Sequence, residues 1–184
     1  MSFLYGPTVH VLRLSLRYVK PEVWRRIVVK SDMPVPKFAK MLEQAMGWAG
    51  YHLHMIDVGG LLFGIPDDGD DYIINEKAVT VKHLLPREQT SLRWNYDFGD
   101  GWEHDVVVEA IEPLNAKAKY PIVLDGARAC PPEDVGGPPG YDELLRVLSN
   151  PKNKEYASMR EWAPEGFDPA AFDVAAAIRR LHTR

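Results

Sequence analysis

From Thr8 to Leu16 the chain alternates: His10, Leu12, Leu14 and Leu16 fall on one side and Arg13 and Ser15 on the other, the two-residue period of a strand with one buried face. Lys20-Pro21 interrupts the run and Val23 to Val29 resumes it, so the first segment predicts a basic hairpin carrying Trp24, Arg25 and Arg26. The period then changes. Pro36, suited to a first helical turn, is followed by Phe38, Met41, Leu42, Ala45 and Met46 at helical spacing, and Gly47 ends the stripe. His52 to Val58 alternates again as a strand. Gly59-Gly60 supplies a two-residue hairpin turn into Leu61-Leu62-Phe63.

Farther on, Val79 to Leu85 reads as a short strand running into a helical turn. Leu92, Trp94 and Tyr96, then Trp102, His104, Val106 and Val108, mark two strands joined by a turn at Phe98-Gly99-Asp100-Gly101. The stretch Cys130 to Gly140 holds so many prolines and glycines that it reads as a shaped loop without regular structure. Tyr141, Leu144, Leu145 and Leu148 predict a helix, and Tyr156, Met159 and Trp162 a short second one. Val174, Ala177, Ile178 and Leu181 predict a last helix, with Asp168 as its cap and Pro169 in its first turn. The pattern specifies an α+β fold: a mixed, largely antiparallel sheet against helices, with a helical C-terminal part.

At 184 residues and 46% hydrophobic composition the chain suits one domain spanning residues 1–184. Cys130 is the sole cysteine, so neither a disulfide nor a thiolate metal cluster is available, which fits a cytoplasmic protein. Met1 to Pro7 lacks the basic start and apolar run of a signal peptide, and no stretch is long enough to span a membrane. Residues 1–40 carry eight Lys/Arg against two acids, net +6, leaving fourteen against twenty-four, net −10, in the remainder. That polarity offers the first hairpin to an anionic partner, but no basic stripe interleaved with aromatics accompanies it.

Chemistry concentrates in a few places. His52 and His54, two apart on a strand, project to one face, the spacing with which two imidazoles reach one divalent metal ion, and Asp97 and Asp100 are the carboxylates best placed to complete such a site. Against this, turn aspartates most often cap backbone N–H groups, and a histidine sharing a face with Trp102 and Val106, as His104 does, is most often a core residue. Cys130 sits on a stiff backbone before two prolines, where a histidine would be needed to activate it. Asp67-Asp68-Gly69-Asp70-Asp71 is no EF-hand, since Ala78 stands where the bidentate glutamate belongs. Asp97-Phe98-Gly99 matches a kinase triplet without the accompanying glycine-rich and catalytic loops.

Several blocks, in order, resemble one family: Lys20-Pro21-Glu22-Val23-Trp24-Arg25-Arg26, Ala45-Met46-Gly47-Trp48 with His52-Leu53-His54, Leu84-Leu85-Pro86-Arg87-Glu88, Tyr96-Asp97-Phe98-Gly99-Asp100-Gly101-Trp102-Glu103-His104, Asp125-Gly126-Ala127-Arg128-Ala129-Cys130-Pro131-Pro132-Glu133-Asp134, and Gly136-Gly137-Pro138-Pro139-Gly140-Tyr141. Together they are similar to the Ri-plasmid ORF-3-like family, whose members are often labelled resolvase-like passengers of insertion elements. The resemblance implies a β-grasp-like α+β fold and an association with mobile elements. It also places His52, His54, Asp97, Asp100, His104, Cys130, Glu133 and Asp134 in family-type blocks, as a candidate functional cleft.

Recombination itself is disfavoured, because the chain lacks the arginine-rich nucleophile site and the DNA-binding region that reaction needs. The expectation is therefore a non-catalytic interaction module for a protein or nucleic acid, with Trp24, Arg25 and Arg26 as its surface. The alternative is a metal-dependent hydrolase or nuclease built on His52, His54 and carboxylates. A third arrangement, a small-ligand pocket lined by Trp48, Trp102 and Tyr141, would lie between the hairpin turn and the proline loop.

Overall fold

The computed structural model describes residues 6–183, so the start of the chain, Met1 to Tyr5, lies outside the described residues. Eight strands form one sheet: β1 (Thr8–Leu16), β2 (Trp24–Lys30), β3 (His54–Val58), β4 (Leu61–Gly64), β5 (Ile73–Asn75), β6 (Ser91–Tyr96), β7 (Trp102–Pro113) and β8 (Ile122–Ala127). Their order is β5-β4-β3-β6-β7-β1-β2-β8. Every pairing is antiparallel except β4 with β5, so the sheet is mixed and largely antiparallel.

The helices are α1 (Val35–Met46), α2 (Val81–Leu84), α3 (Gly137–Leu148), α4 (Tyr156–Trp162) and α5 (Val174–His182), with a 3-10 turn at Glu76–Ala78. The apolar stripe of α1 meets the inward residues of β1, β2, β3, β6 and β7 in one large core that includes Leu12, Leu14, Ile27, Phe38, Leu42, Ile56, Trp94 and Val106. A small second cluster, Val9, Val11 and Val28 with Leu114 and Tyr120 against it, forms separately. No helix among the described residues is long and apolar enough to cross a membrane.

The C-terminus of α1 has no basic residue of its own; its cations come from elsewhere in the chain. Arg25 on β2 donates from Nε to the Ala45 carbonyl (3.1 Å) and from Nη2 to that of Met46 (3.3 Å). Arg180 on α5 donates from Nε to the Gln44 carbonyl (3.2 Å). Two guanidinium groups thus satisfy the carbonyls that a helix end leaves unpaired and oppose the negative end of its dipole.

Two boundaries differ from the sequence expectation. Helix α3 begins at Gly137, inside the stretch read as irregular, because prolines in the first helical turn give up only N–H groups that lack partners anyway. The last helix begins at Val174, with Asp173 Oδ1 accepting from Ala176 N, and Asp168 instead closes a local turn onto Ala170 N. The intervening extended chain lays Phe172 over the Arg25 guanidinium, 4.0 Å from ring centroid to Cζ.

Candidate metal centre

Three segments distant in sequence meet at one end of the sheet. The first leaves α1: Trp48 stacks on Tyr96 with ring centroids 4.7 Å apart, and its Nε1 donates to the Pro131 carbonyl (3.0 Å). One residue later, Ala49 N donates to Glu133 Oε1 (2.9 Å), which also accepts from the Tyr96 hydroxyl (3.2 Å). The proline loop is therefore pinned to the segment after α1 by a buried indole and a backbone amide, and to β6 by the Tyr96 hydroxyl. The second segment is the β6–β7 turn, where Asp97 has φ 56° and its Oδ1 accepts from Gly99 N (2.9 Å) and Asp100 N (3.3 Å). Asp100 Oδ2 in turn accepts from Gly136 N (3.1 Å), tying the turn to the start of α3. Gly137, at φ 67°, lies so close to the Asp100 carbonyl that a Cβ would collide with it.

This scaffold brings His52, Asp97 and Asp134 together: one ligand atom from each lies within 4.8 Å of the other two. His52 Nε2 is 3.5 Å from Asp97 Oδ2, 3.4 Å from Asp134 Oδ1 and 3.9 Å from Glu133 Oε2. His52 Nε2 and Glu133 Oε2 are buried and have no hydrogen-bond partner among the described residues. Tetrahedral ligands bonded at ~2.1 Å are separated by ~3.4 Å, the spacing of Nε2 from both aspartate oxygens. Asp97 and Asp134 both hold left-handed backbone, φ 56° each, the kind of strain that a tightly specified site retains.

His54 points into the same region but belongs to a different set of contacts. Its Nε2 is 2.8 Å from Glu76 Oε2, and its Nδ1 is 3.9 Å from Glu43 Oε1. Glu76 is 1% exposed and Glu43 9%. Desolvation by burial pushes the Glu43 carboxyl above its usual range, and Glu133 and Glu76 reinforce the shift against the opposing His54 and Lys40. Neither glutamate was singled out in the sequence. For Glu43 a signal exists, since it lies four residues after Ala39 and three before Met46 along the buried line of α1. His52 itself precedes β3 rather than lying on it, so the strand spacing does not account for its partners.

A cavity of about 450 Å³ opens beside both histidines, lined also by Leu53, Met55, Ile65, Pro66, Asp67, Asp70, Ile73 and Phe98. A second, more apolar cavity of about 450 Å³ reaches Asp134 from the other side, between Val135, Leu144, Met159 and Trp162. Among the described residues neither lining contains lysine or arginine.

Other sequence candidates fall elsewhere. Asp100 is spent on the Gly136 amide. His104 is fully buried against Trp48 and Trp94, its Nδ1 is 3.2 Å from the Trp94 carbonyl, and burial pushes its pKa down to about 3. It is a core histidine outside the cleft. The Cys130 thiol is driven well above the usual thiol range by desolvation, and its charged neighbours are Arg25, Glu133 and Arg180 rather than a histidine. Trp48, Trp102 and Tyr141 are 4%, 0% and 0% exposed, so they build the core instead of lining a ligand pocket.

The proposed hairpin surface also changes. Trp24 lies under the Arg13 guanidinium (4.1 Å), and Arg26 Nε pairs with Glu109 Oε2 (2.5 Å). Arg25 is 1% exposed, because alternation along β2 puts it on the inward face with Ile27 and Val29. Arg13 and Arg17 are paired with Glu22, Glu103 and Asp105, so with Arg26 three of the eight basic residues of the first forty are paired with carboxylates.

The sequence pattern of plasmid pRiA4b ORF-3-like proteins matches residues 8–176. A relative from Sinorhizobium fredii, the uncharacterized protein y4hQ, is 35% identical over 163 residues, which cover 87% of this chain and 84% of that one. The crystal structure of MM3350 from Methanosarcina mazei, a protein of unknown function, has a TM-score of 0.84 at 33% identity and spans 93% of this chain and 98% of its own. The family pattern takes in the first strand, the metal-type cluster and the start of α5, and on that coverage the chain belongs to the plasmid pRiA4b ORF-3-like family.

Proposed function

We propose that the domain is a divalent-metal hydrolase whose metal is held by His52 Nε2, Asp97 Oδ2 and Asp134 Oδ1, with Glu133 Oε2 as a further oxygen. The observation that carries this reading is the convergence of three ligand atoms within 4.8 Å around a buried nitrogen without a hydrogen-bond partner. One imidazole with carboxylates suits zinc, manganese or iron, and three protein ligands leave positions for water, whose pKa a bound cation lowers toward neutrality. Tyr96 and Ala49 hold Glu133 through its other oxygen, and the Asp97 turn amides fix that side chain, so both carboxylates are pre-oriented.

The absence of lysine and arginine from both cavity linings, among the described residues, disfavours a polyanionic substrate. A neutral or cationic substrate suits this end of the sheet better than a nucleic acid. The test is metal content of tag-free protein together with zinc and manganese titration by calorimetry. Stoichiometric binding that is lost in Asp97→Asn and His52→Ala supports the reading, and a protein that binds neither metal overturns it.

One observation favours the interaction module as a second reading. Leu53, Ile65 and Phe98 line the cleft at 66%, 62% and 58% exposure, an apolar rim suited to contact with a partner. It moves the candidate contact surface from the Trp24 hairpin to the cleft mouth. Pull-downs with Phe98→Asp against Arg26→Ala separate the two surfaces.

A further inference from the structure

The side chains of the His52 cluster differ in how far they reach solvent. Asp97, Glu133 and His52 are 8%, 20% and 26% exposed, and Asp134 is 73% exposed. A molecule approaching the cluster therefore meets it chiefly at Asp134, which stands at the edge of the apolar cavity of about 450 Å³. Two walls build that cavity. Gly140 on α3 lies so close to the Val135 carbonyl that a Cβ would overlap it, and this holds the chain after Asp134 against the helix, with Val135 and Leu144 side by side. The opposite wall is α4, where Met159 and Trp162, three residues apart, share a face and both line the cavity. A surface helix normally buries its apolar stripe, yet every residue of α4 stays at least partly exposed. Trp162 is 48% exposed, while Trp48, Trp94 and Trp102 are buried. The apolar face of α4 thus looks into open space beside Asp134 instead of into the core.

The chemistry of the lining decides what fits. Among the described residues Asp134 is the one charged side chain in it, and in the proposed metal site that charge faces the cation. A charged group placed between Leu144, Met159 and Trp162 would lose its hydration without gaining a counter-charge. An uncharged apolar group would instead gain by leaving water. An apolar cavity of about 150 Å³ already holds a benzene ring, so the space here suffices for a phenyl group and a short linker. We propose that this cavity receives the aromatic or branched apolar group of an uncharged amide or ester whose carbonyl reaches the metal at Asp134. The α3–α4 cavity then selects the substrate and the His52 cluster holds its reacting end.

This inference rests on the reading of His52, Asp97 and Asp134 as a metal site, and the probes are chosen so that either can fail without the other. Zinc-loaded full-length protein is titrated by calorimetry with acetohydroxamate and with phenylbutyrohydroxamate, which share a metal-binding end and differ in the apolar tail. The phenyl compound should bind at least about tenfold more tightly, as burial of one aromatic ring implies. Trp162→Ala removes one wall of the cavity, and Ser158→Trp fills the cavity from α4. Each should bring the two affinities within about threefold of one another while zinc content stays at the wild-type value. Equal affinities in the wild type, or a preference kept in both variants, overturn the inference and leave the metal site standing. In metal-free protein the neutral phenylbutyramide should shift the ¹³C-methyl signal of Met159. A protein that binds no zinc but in which Met159 shifts overturns the metal site and supports the cavity. One that binds zinc, with Met159 unmoved by either phenyl compound, overturns the cavity. Absence of both responses overturns both readings.

Discussion

His52 Nε2 stands 3.4 Å from Asp134 Oδ1, although the two residues come from loops on opposite sides of the β6–β7 hairpin in the sequence. What joins them is Asp97, whose carboxylate has two separate jobs. Oδ1 caps the turn through Gly99 N and Asp100 N, and Oδ2 faces His52. Asp97→Asn keeps an acceptor for the turn amides and tolerates the left-handed backbone, so the fold should hold and its melting temperature should move little. Zinc affinity should nonetheless fall by at least about tenfold, since a metal-bound anionic oxygen is lost. Calorimetric titration alongside a thermal melt distinguishes this outcome from simple unfolding.

The proline loop reaches the turn only because residue 137 has no side chain. A methyl group in Gly137→Ala would meet the Asp100 carbonyl and would also sit on a positive-φ backbone. The substitution should destabilise the protein by about 2 kcal/mol and lower metal affinity in parallel, since Glu133 and Asp134 lie on the displaced segment. Equilibrium urea unfolding measures the first effect and zinc titration the second.

The parts of this arrangement that were legible in the sequence are those set by local periodicity. Alternation through Trp94 and Tyr96 and then Trp102 to Val108 locates both strands and puts the Asp97 turn between them. The same alternation, followed one residue further along β2, places Arg25 with Ile27 and Val29 rather than beside Trp24 and Arg26. Local pattern could not show that His52 would turn away from the β3 ladder toward Asp134, or that Glu76 would meet His54, because these contacts depend on how the loops cross the sheet end. Glu43 lies on the buried line of α1, but that its carboxylate would sit against Gly50, where no Cβ intrudes, depends on the path of the chain after the helix.

Arg25 offers a stability test with a built-in control. Its guanidinium also donates from Nη1 to the carbonyls of Trp24 (2.8 Å) and Ala127 (2.9 Å), in addition to those at the end of α1. Burial lowers its pKa to about 10, so it remains charged at neutral pH. Arg25→Ala leaves these buried carbonyls without a donor and should cost about 3–5 kcal/mol. Arg26→Ala removes only a half-exposed pair with Glu109 and should cost less than about 1 kcal/mol. Similar midpoints for the two variants in chemical denaturation would contradict this account of β2.

Acid sensitivity should originate in the core histidines. His10 accepts from the Ser31 hydroxyl at Nδ1 (2.8 Å) and donates from Nε2 to the Leu85 carbonyl (2.7 Å), so protonation at Nδ1 would require the hydroxyl to rotate, accept, and donate instead to Thr8 Oγ1 (2.7 Å). Burial lowers the pKa of His10 and takes that of His104 to about 3, from the ordinary imidazole value of 6.5. His104 is neutral in the folded protein down to about pH 3 and gains a proton on unfolding below pH 6.5, and the lowered His10 acts in the same direction, so the unfolded state binds more protons and stability falls as the pH drops. The histidine contribution is fully present above pH 6.5. It declines through the interval down to about pH 3, where the folded His104 would itself protonate. His104→Phe fills similar space, gives up the bond to the Trp94 carbonyl and removes this titration. Its melting temperature should therefore fall less steeply than that of the wild type between pH 6.5 and pH 4, by an amount on the order of a few kcal/mol in stability. Parallel melting curves for the two proteins across that interval would show that His104 is not the group being protonated.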